Sequence, residues 1–160
     1  MMSEFDPASI SQDELHRLRA AAEAAWGDDT RSPSYEGHPL PAMGQCHVTA
    51  SWLVKKLGGH VGFKAGHYFW VSPDKQYVID LTGDQFVYTP HDLKWHGIKL
   101  DEDDSGWEPT EDHKKWRSGP VMFKHANHPL FRDFRVKSPR KDARTKVFQQ
   151  RADQAYAEGA

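Results

Sequence analysis

Residues 67–81 read HYFWVSPDKQYVIDL, and this stretch decides the fold. Its two ends are rich in aromatic and β-branched residues, which is typical of β-strands. The segment between them, SPDKQ at residues 72–76, holds turn-forming residues. The stretch therefore predicts an antiparallel hairpin with strands at residues 67–71 and 77–81.

The loop of this hairpin determines which side chains share a face of the sheet. A two-residue loop at residues 73–74 pairs Ser72 with Lys75 and places His67 directly opposite Asp80. A four-residue loop would shift the pairing but keep His67 and Asp80 on one face, whereas an odd loop without a bulge would separate them. We predict the two-residue loop.

Both faces of the predicted hairpin are largely apolar, so we expect it to be central in the sheet and covered on each side. A buried aspartate is costly unless it is paired or hydrogen-bonded. His67 across the strand pair would satisfy Asp80. We expect the helix that carries Cys46 to cover the face that bears these two side chains.

Two helices are predicted before the hairpin. Ser11 is followed three residues later by Glu14, which is a capping-box pattern, and apolar residues then recur at helical spacing to about residue 26. A second helix begins near Cys46 and ends at Gly58. The segment between them, residues 28–43, has the composition of a loop.

The remaining elements give weaker signals. Further strands are predicted at residues 60–64, 85–88 and 121–123, and residues 142–158 have helical composition with a poor apolar stripe. Helices placed before a run of strands indicate an α+β fold. We divide the chain into one domain, residues 1–130, which includes the N-terminal helix, and a basic, partly helical C-terminal tail, residues 131–160.

Cys46 is the only cysteine of the chain and lies at the start of the second predicted helix. Free backbone N–H groups and the positive end of the helix dipole favour a thiolate there. The preceding Gly44 lets the chain approach a substrate closely. A nucleophilic cysteine also needs a base and a group that orients the base, and His67 and Asp80 fit those roles.

Three motifs resemble the papain-like superfamily of cysteine hydrolases. They are GQC at residues 44–46 opening a helix, GHYFW at residues 66–70, and YVIDLT at residues 77–82 followed by Gln85 and Phe86. The resemblance is strongest to the transglutaminase-like and NlpC-like branches and to small stand-alone bacterial proteins of that type. It implies a papain-like core in which a Cys-bearing helix packs on a small antiparallel sheet.

The resemblance also implies roles for single residues. Cys46 would be the nucleophile, His67 the general base and acid, and Asp80 the residue that orients His67. Candidate oxyanion or substrate-binding residues are Gln45, Gln85 and Trp70, together with the backbone N–H of Cys46. The implied substrate is a peptide, amide or ester, and hydrolysis, deamidation and transamidation would use the same residues. No cofactor is implied.

The composition and net charge of the chain indicate which kinds of partner to expect. The chain has 160 residues with 38% apolar residues, and Trp 6, Phe 8 and Tyr 5 supply large rings for a core. The formal net charge of −2 indicates neither a nucleic-acid nor a membrane partner. The N-terminus does not read as a secretory signal, and no stretch is long enough for a membrane span, so we expect a cytoplasmic protein. The oligomeric state is left open.

Two other classes of function remain to be weighed. The ten histidines include pairs with ligand-like spacing, His125 with His128 and His91 with His96, but scattered surface histidines are the interpretation we favour, and we predict no metal site. The alternative to an enzyme is a catalytically inactive binding or structural protein on the same fold. The reactivity of the Cys46 thiol discriminates between these two.

Overall fold

The computed structural model describes residues 4–37, 41–42, 44–64, 66–82, 122–127 and 131–159. In these residues, helices pack on one antiparallel β-sheet, so the predicted α+β class is confirmed. The helices are α1 (Gln12–Ala25), α2 (Cys46–Leu57) and α3 (Ala143–Ala157). The strands are β1 (His60–Lys64), β2 (His67–Val71), β3 (Tyr77–Ile79), β4 (Met122–Lys124) and β5 (Arg135–Lys137).

The sheet has five strands in the order β4-β3-β2-β1-β5, with antiparallel neighbours throughout. The predicted hairpin, β2 and β3, is therefore central, as expected from its two apolar faces. Strand β5 comes from the C-terminal part of the chain and pairs with β1, so that Val136 lies opposite Gly62. The predicted strand at residues 85–88 lies outside the described residues.

The register of the hairpin differs from the prediction. Trp70 pairs with Ile79 and Val71 pairs with Val78, so the strands are joined by a four-residue loop, residues 73–76, and not by a two-residue loop. The hydroxyl of Ser72 causes the difference, because its oxygen accepts hydrogen bonds from the backbone N–H groups of Gln76 (3.2 Å) and Tyr77 (3.0 Å). The shift is an even number of residues, so each side chain keeps its predicted face.

Helix α1 forms as predicted. The hydroxyl of Ser11 accepts a hydrogen bond from the Glu14 backbone N–H at 3.0 Å, which caps the first turn. The apolar stripe of α1 is buried in the main core with side chains from α2, β2, β3 and α3. At the centre of this core, the indole of Trp52 on α2 packs edge-on against Phe148 of α3.

The helices cover the sheet face that carries Trp70 and Ile79, because these two residues belong to the helical core. The expectation that the Cys46 helix covers the face with His67 and Asp80 is therefore wrong. The physical reason is size, since the large indole of Trp70 and its neighbours offer more apolar surface to the helices than a face that carries two ionisable side chains.

The C-terminal residues 131–159 supply part of the sheet and core. Phe148 and Ala152 of α3 are fully buried in the main core, and Asp153 Oδ1 accepts a hydrogen bond from Trp52 Nε1 at 2.8 Å. In the described part of the chain, no helix combines the length and apolar character needed to span a membrane.

Candidate active site

The segment before α2 holds Cys46 in a fixed position. Gly44 has a φ of +77°, a conformation that favours glycine, and a Cβ at this position would lie only 2.9 Å from Cδ2 of Tyr35. Gln45 precedes the helix, but its side chain does not cap the first turn. Cys46 is therefore the first helical residue, at an N-terminus that keeps its positive electrostatic character.

The side chain of Gln45 is fully buried and hydrogen-bonded to a neighbouring loop. Its Oε1 accepts from the Thr30 hydroxyl at 2.8 Å, and its Nε2 donates to the Gly27 carbonyl at 3.0 Å. These bonds tie the start of α2 to the residues that follow α1. Gln45 thus anchors the Cys46 backbone, and the structure gives its amide this positioning role in place of a contact with the candidate nucleophile.

His67 and Asp80 form a buried hydrogen-bonded pair. Nε2 of His67 lies 2.7 Å from Oδ2 of Asp80, and the two side chains are 3% and 2% exposed. The second carboxylate oxygen, Oδ1, accepts from both the backbone N–H (3.1 Å) and the hydroxyl (3.0 Å) of Thr82. Asp80 is therefore well satisfied and holds the imidazole in one orientation.

The charges of this pair support each other. Burial lowers the pKa of His67. The charge and hydrogen bond of Asp80 outweigh burial, and Cys46 adds a further hydrogen bond and charge, so the pKa of His67 is raised to about 10. Burial raises the pKa of Asp80, yet the charge and hydrogen bond of His67 and the bonds from Thr82 hold it below its ordinary 3.8. The pair is thus an imidazolium and a carboxylate at neutral pH.

Cys46 and His67 meet because α2 and β2 run in the same direction along the sheet. At one end of β2, the ring of His47 stacks on Tyr68 with centroids 3.8 Å apart. At the other end, Trp70 Nε1 donates to the carbonyl of Gly58 at 2.8 Å. The first residue of the helix therefore lies beside the first residue of the strand, and the thiol hydrogen-bonds to His67 from the end of the sheet.

Two tyrosines lie near the thiol. Burial, and then the charge of Cys46, raise the pKa of Tyr35 to about 12 and raise the pKa of Tyr68. His47 stays neutral, because burial and then the charge of Arg140 lower its pKa to about 4. Cys46 itself is 7% exposed. The thiol therefore lies just below the surface, beside the His67–Asp80 pair.

Sequence reasoning missed two residues that hold the pair. Thr82 bonds to Asp80, and its signal was available, since a threonine two residues after an aspartate at a strand end is typical of a local side-chain-to-backbone turn. Phe131 packs edge-on against His67 with ring centroids 6.2 Å apart, and against Phe69 at 4.8 Å. No sequence signal links Phe131 to His67, because the contact depends on where the C-terminal segment returns.

Of the other two candidate oxyanion or substrate-binding residues, the structure describes Trp70. Trp70 is fully buried on the helical face and its N–H is used by Gly58, so a substrate-binding role for its ring is wrong. Gln85 lies outside the described residues.

The histidine pairs that resemble metal ligands receive no structural support. Within residues 4–37, 41–42, 44–64, 66–82, 122–127 and 131–159, no three His, Cys, Asp or Glu side chains cluster in a way that could hold a metal ion. His125 Nε2 lies 2.7 Å from the carbonyl of Lys75. His91, His96 and His128 lie outside the described residues.

Comparisons with known proteins place these residues in a family. A stretch of 90 residues, 55% of this chain, is 30% identical to the protein named endo-1,4-beta-xylanase B from Thermotoga neapolitana, and it spans only 26% of that protein. No solved structure matches the chain. The family described as YunG protein matches residues 14–117, a range that includes Cys46, His67 and Asp80. With well over half of its length matched, the chain belongs to the YunG protein family.

Proposed function

We propose that the chain is a cysteine-dependent hydrolase or acyltransferase that acts on an amide or ester bond through an acyl-enzyme. Cys46 is the nucleophile, His67 the general base and acid, and Asp80 the residue that orients the imidazole. The observation that carries the proposal is the buried 2.7 Å bond from His67 Nε2 to Asp80, beside a thiol that hydrogen-bonds to the same ring. Because Nε2 is used by Asp80, we assign Nδ1 to the thiol.

The proposed reaction begins with the thiolate of Cys46 and the imidazolium of His67. The sulfur attacks the carbonyl carbon, and a tetrahedral oxyanion forms beside the backbone N–H of Cys46. His67 donates its proton to the departing amine or alkoxide, which leaves as the carbon–heteroatom bond breaks. His67 then takes a proton from water or from an amine, which attacks the thioester and releases the acyl product and the thiolate.

The arrangement of elements supports a papain-like core for this proposal. The nucleophile begins a helix, the base begins the strand beside that helix, and the orienting carboxylate follows the next strand. In the papain-like families, Cys, His and Asp are presented in the same chain order. A nucleophile that is a free cysteine also suits a reducing compartment, so we propose a cytoplasmic location.

The xylanase relative does not supply a second proposal. The 30% identity covers about a quarter of a longer protein, and that protein's name describes the whole of it. Glycoside hydrolysis ordinarily uses two carboxylates that flank one bond. In the described part of this chain, Asp80 is the single buried acidic side chain, and it is bonded to His67.

The proposal is tested by alkylation of Cys46 with iodoacetamide as a function of pH. We expect wild-type labelling to stay fast below pH 7, because the imidazolium keeps the sulfur as a thiolate there. His67→Ala should lower the labelling rate near pH 6.5 by about tenfold or more, since a free thiol with a pKa near 8.5 is mostly protonated at that pH. His16→Ala, which removes an exposed histidine of α1, is the matched control and should leave the rate unchanged.

Mass spectrometry with p-nitrophenyl acetate then tests acyl transfer directly. Acetylation at residue 46 that occurs in wild type, but not in Cys46→Ser or His67→Ala, supports an enzyme that forms an acyl intermediate. Labelling that follows an ordinary thiol titration and is indifferent to His67→Ala supports the alternative, a catalytically inactive binding or structural protein on the same fold.

A further inference from the structure

A groove between α2 and α3 lies on a different side of α2 from the candidate active site. Its volume is about 310 Å³, within the size range of small-molecule sites. Cys46, Ala50 and Leu53 lie on one side of α2, and Ser51 and Lys55 lie at least a quarter of a turn away along the groove. The groove therefore lies on a different side of α2 from the Cys46 thiol.

The charged lining of the groove is strongly one-sided. Lys55, Arg140, Lys141 and Lys146 line it. None of the ion pairs within the described part of the chain includes Lys55, Lys141 or Lys146. Asp142 lies next to the groove in the chain, and its carboxylate accepts from Arg140 Nε at 2.6 Å and caps α3. Three cationic side chains around one concave surface thus have no ion-pair partner among the residues that the structure describes.

The floor of the groove is apolar and its wall is fixed. Val54 and Pro139 supply apolar surface, and the methylene stems of the lysines add to it. The backbone N–H of Arg140 donates to the Ser51 hydroxyl at 2.8 Å, which attaches the segment before α3 to the middle of α2. A site with an apolar floor, a fixed wall and several cations at its edge is suited to a ligand that has an apolar body and a negative charge.

We propose that this groove binds a small organic anion, with its phosphate or carboxylate group against Lys55, Arg140 and Lys146 and its apolar part against Val54 and Pro139. Phosphate and carboxylate share the chemistry that the lysines and the guanidinium recognise. The binding is electrostatic at the rim, so it weakens as salt is added.

The proposal is tested by NMR titration of the ¹⁵N-labelled protein with four probes. Phenyl phosphate and phthalate combine a ring with an anionic group and distinguish the two kinds of anion, inorganic phosphate carries the charge alone, and benzyl alcohol carries the ring alone. We expect phenyl phosphate, phthalate or both to shift the amide signals of Ser51, Lys55 and Arg140 in a saturable way, and the single-feature probes to bind more weakly.

Variants then locate the contacts. Lys55→Gln combined with Lys146→Gln should weaken binding about tenfold, because each removes one charge near the anion and leaves an exposed side chain of similar length. Arg135→Gln, which removes one exposed cation on β5, is the control and should leave binding unchanged. If the double variant does not fold, Lys55→Gln alone should weaken binding about threefold.

Several results would overturn the proposal. One is a titration in which neither phenyl phosphate nor phthalate moves the groove signals at millimolar concentration. Another is binding that Lys55→Gln leaves unchanged or that Arg135→Gln weakens to the same extent. A third is inorganic phosphate that binds as tightly as phenyl phosphate, which would show that the apolar floor contributes nothing.

Discussion

Phe131 packs edge-on against His67, with the two rings inclined by 70°. This contact joins the C-terminal segment to the candidate active site, because Phe131 is 1% exposed and also packs on Phe69. The ring that carries the proposed proton transfers is therefore held by a hydrogen bond from one side and by an aromatic ring from another.

The Phe131 contact predicts a specific loss of stability. Phe131→Ala should lower the free energy of unfolding by about 3–5 kcal/mol, since it leaves a cavity in a fully packed region. Phe134→Ala is the matched control, because Phe134 also packs on Phe69, at 6.0 Å, but is only partly buried. Urea denaturation measures both, and an equal loss in the two variants would contradict the role given to Phe131.

The His67–Asp80 pair predicts a pH window of stability. The pKa of His67 is raised from 6.5 to about 10, so its contribution is complete below pH 6.5 and is lost as pH rises through about 10. The pKa of Asp80 is lowered from 3.8, so its contribution is present above pH 3.8 and is lost as pH falls further. Between pH 3.8 and 6.5 both contributions are present.

We therefore expect wild type to exceed His67→Gln in stability most strongly inside that window, by about 1–3 kcal/mol. Urea denaturation of the two proteins, in steps across the range, measures the difference. A difference that does not decline on the alkaline side would show that the raised pKa of His67 does not contribute to folding.

Because the amide of Gln45 is buried and hydrogen-bonded, we expect its loss to lower folding stability more than it lowers the reactivity of Cys46. Gln45→Ala removes two buried hydrogen bonds and should cost about 2–3 kcal/mol. Thr30→Val removes the bond to Gln45 and also the bond that the Thr30 hydroxyl accepts from the Gly27 backbone N–H, so it should cost a similar amount. Acetylation of Cys46 in the folded protein should change by less than about tenfold. A loss of about 100-fold with unchanged stability would instead identify Gln45 as an oxyanion donor.

We expect an alanine at residue 44 to clash with Tyr35, whereas an alanine at residue 37 should not clash. A Cβ at Gly44 would lie 2.9 Å from Cδ2 and 3.0 Å from Cβ of Tyr35, whereas a Cβ at Gly37 would meet nothing within 4 Å. Both glycines have positive φ, +77° and +81°, so each alanine variant carries a cost of about 1–2 kcal/mol for the backbone.

Gly44→Ala should therefore cost about 1–3 kcal/mol more than Gly37→Ala in thermal or urea denaturation. It should also change the Cys46 alkylation rate, because the contact with Tyr35 fixes the chain just before the nucleophile. Two variants of equal stability would mean that the Tyr35 ring moves aside at no cost.

The sequence by itself determined the local elements and the faces of the hairpin. Ser11 marks the first helix, Gly58 ends the second, and the alternating strands put His67 and Asp80 on one side of the sheet. These features follow from backbone propensities, caps and a side-chain period of two, which act over a few residues. The bond between His67 and Asp80 was predictable for the same reason, since every even loop length keeps the two on one face.

Only the tertiary structure decided the rest. The register of the hairpin loop depends on the Ser72 hydroxyl, and the helices pack on the sheet face that carries Trp70. Phe131 contacts His67 because the strand that follows it in the chain pairs with β1. The use of Gln45 as an anchor depended on the Gly27–Thr30 segment folding back onto α2. These features depend on contacts between residues that are far apart in the chain, or on which of two surfaces is buried. A local sequence pattern predicts neither of them.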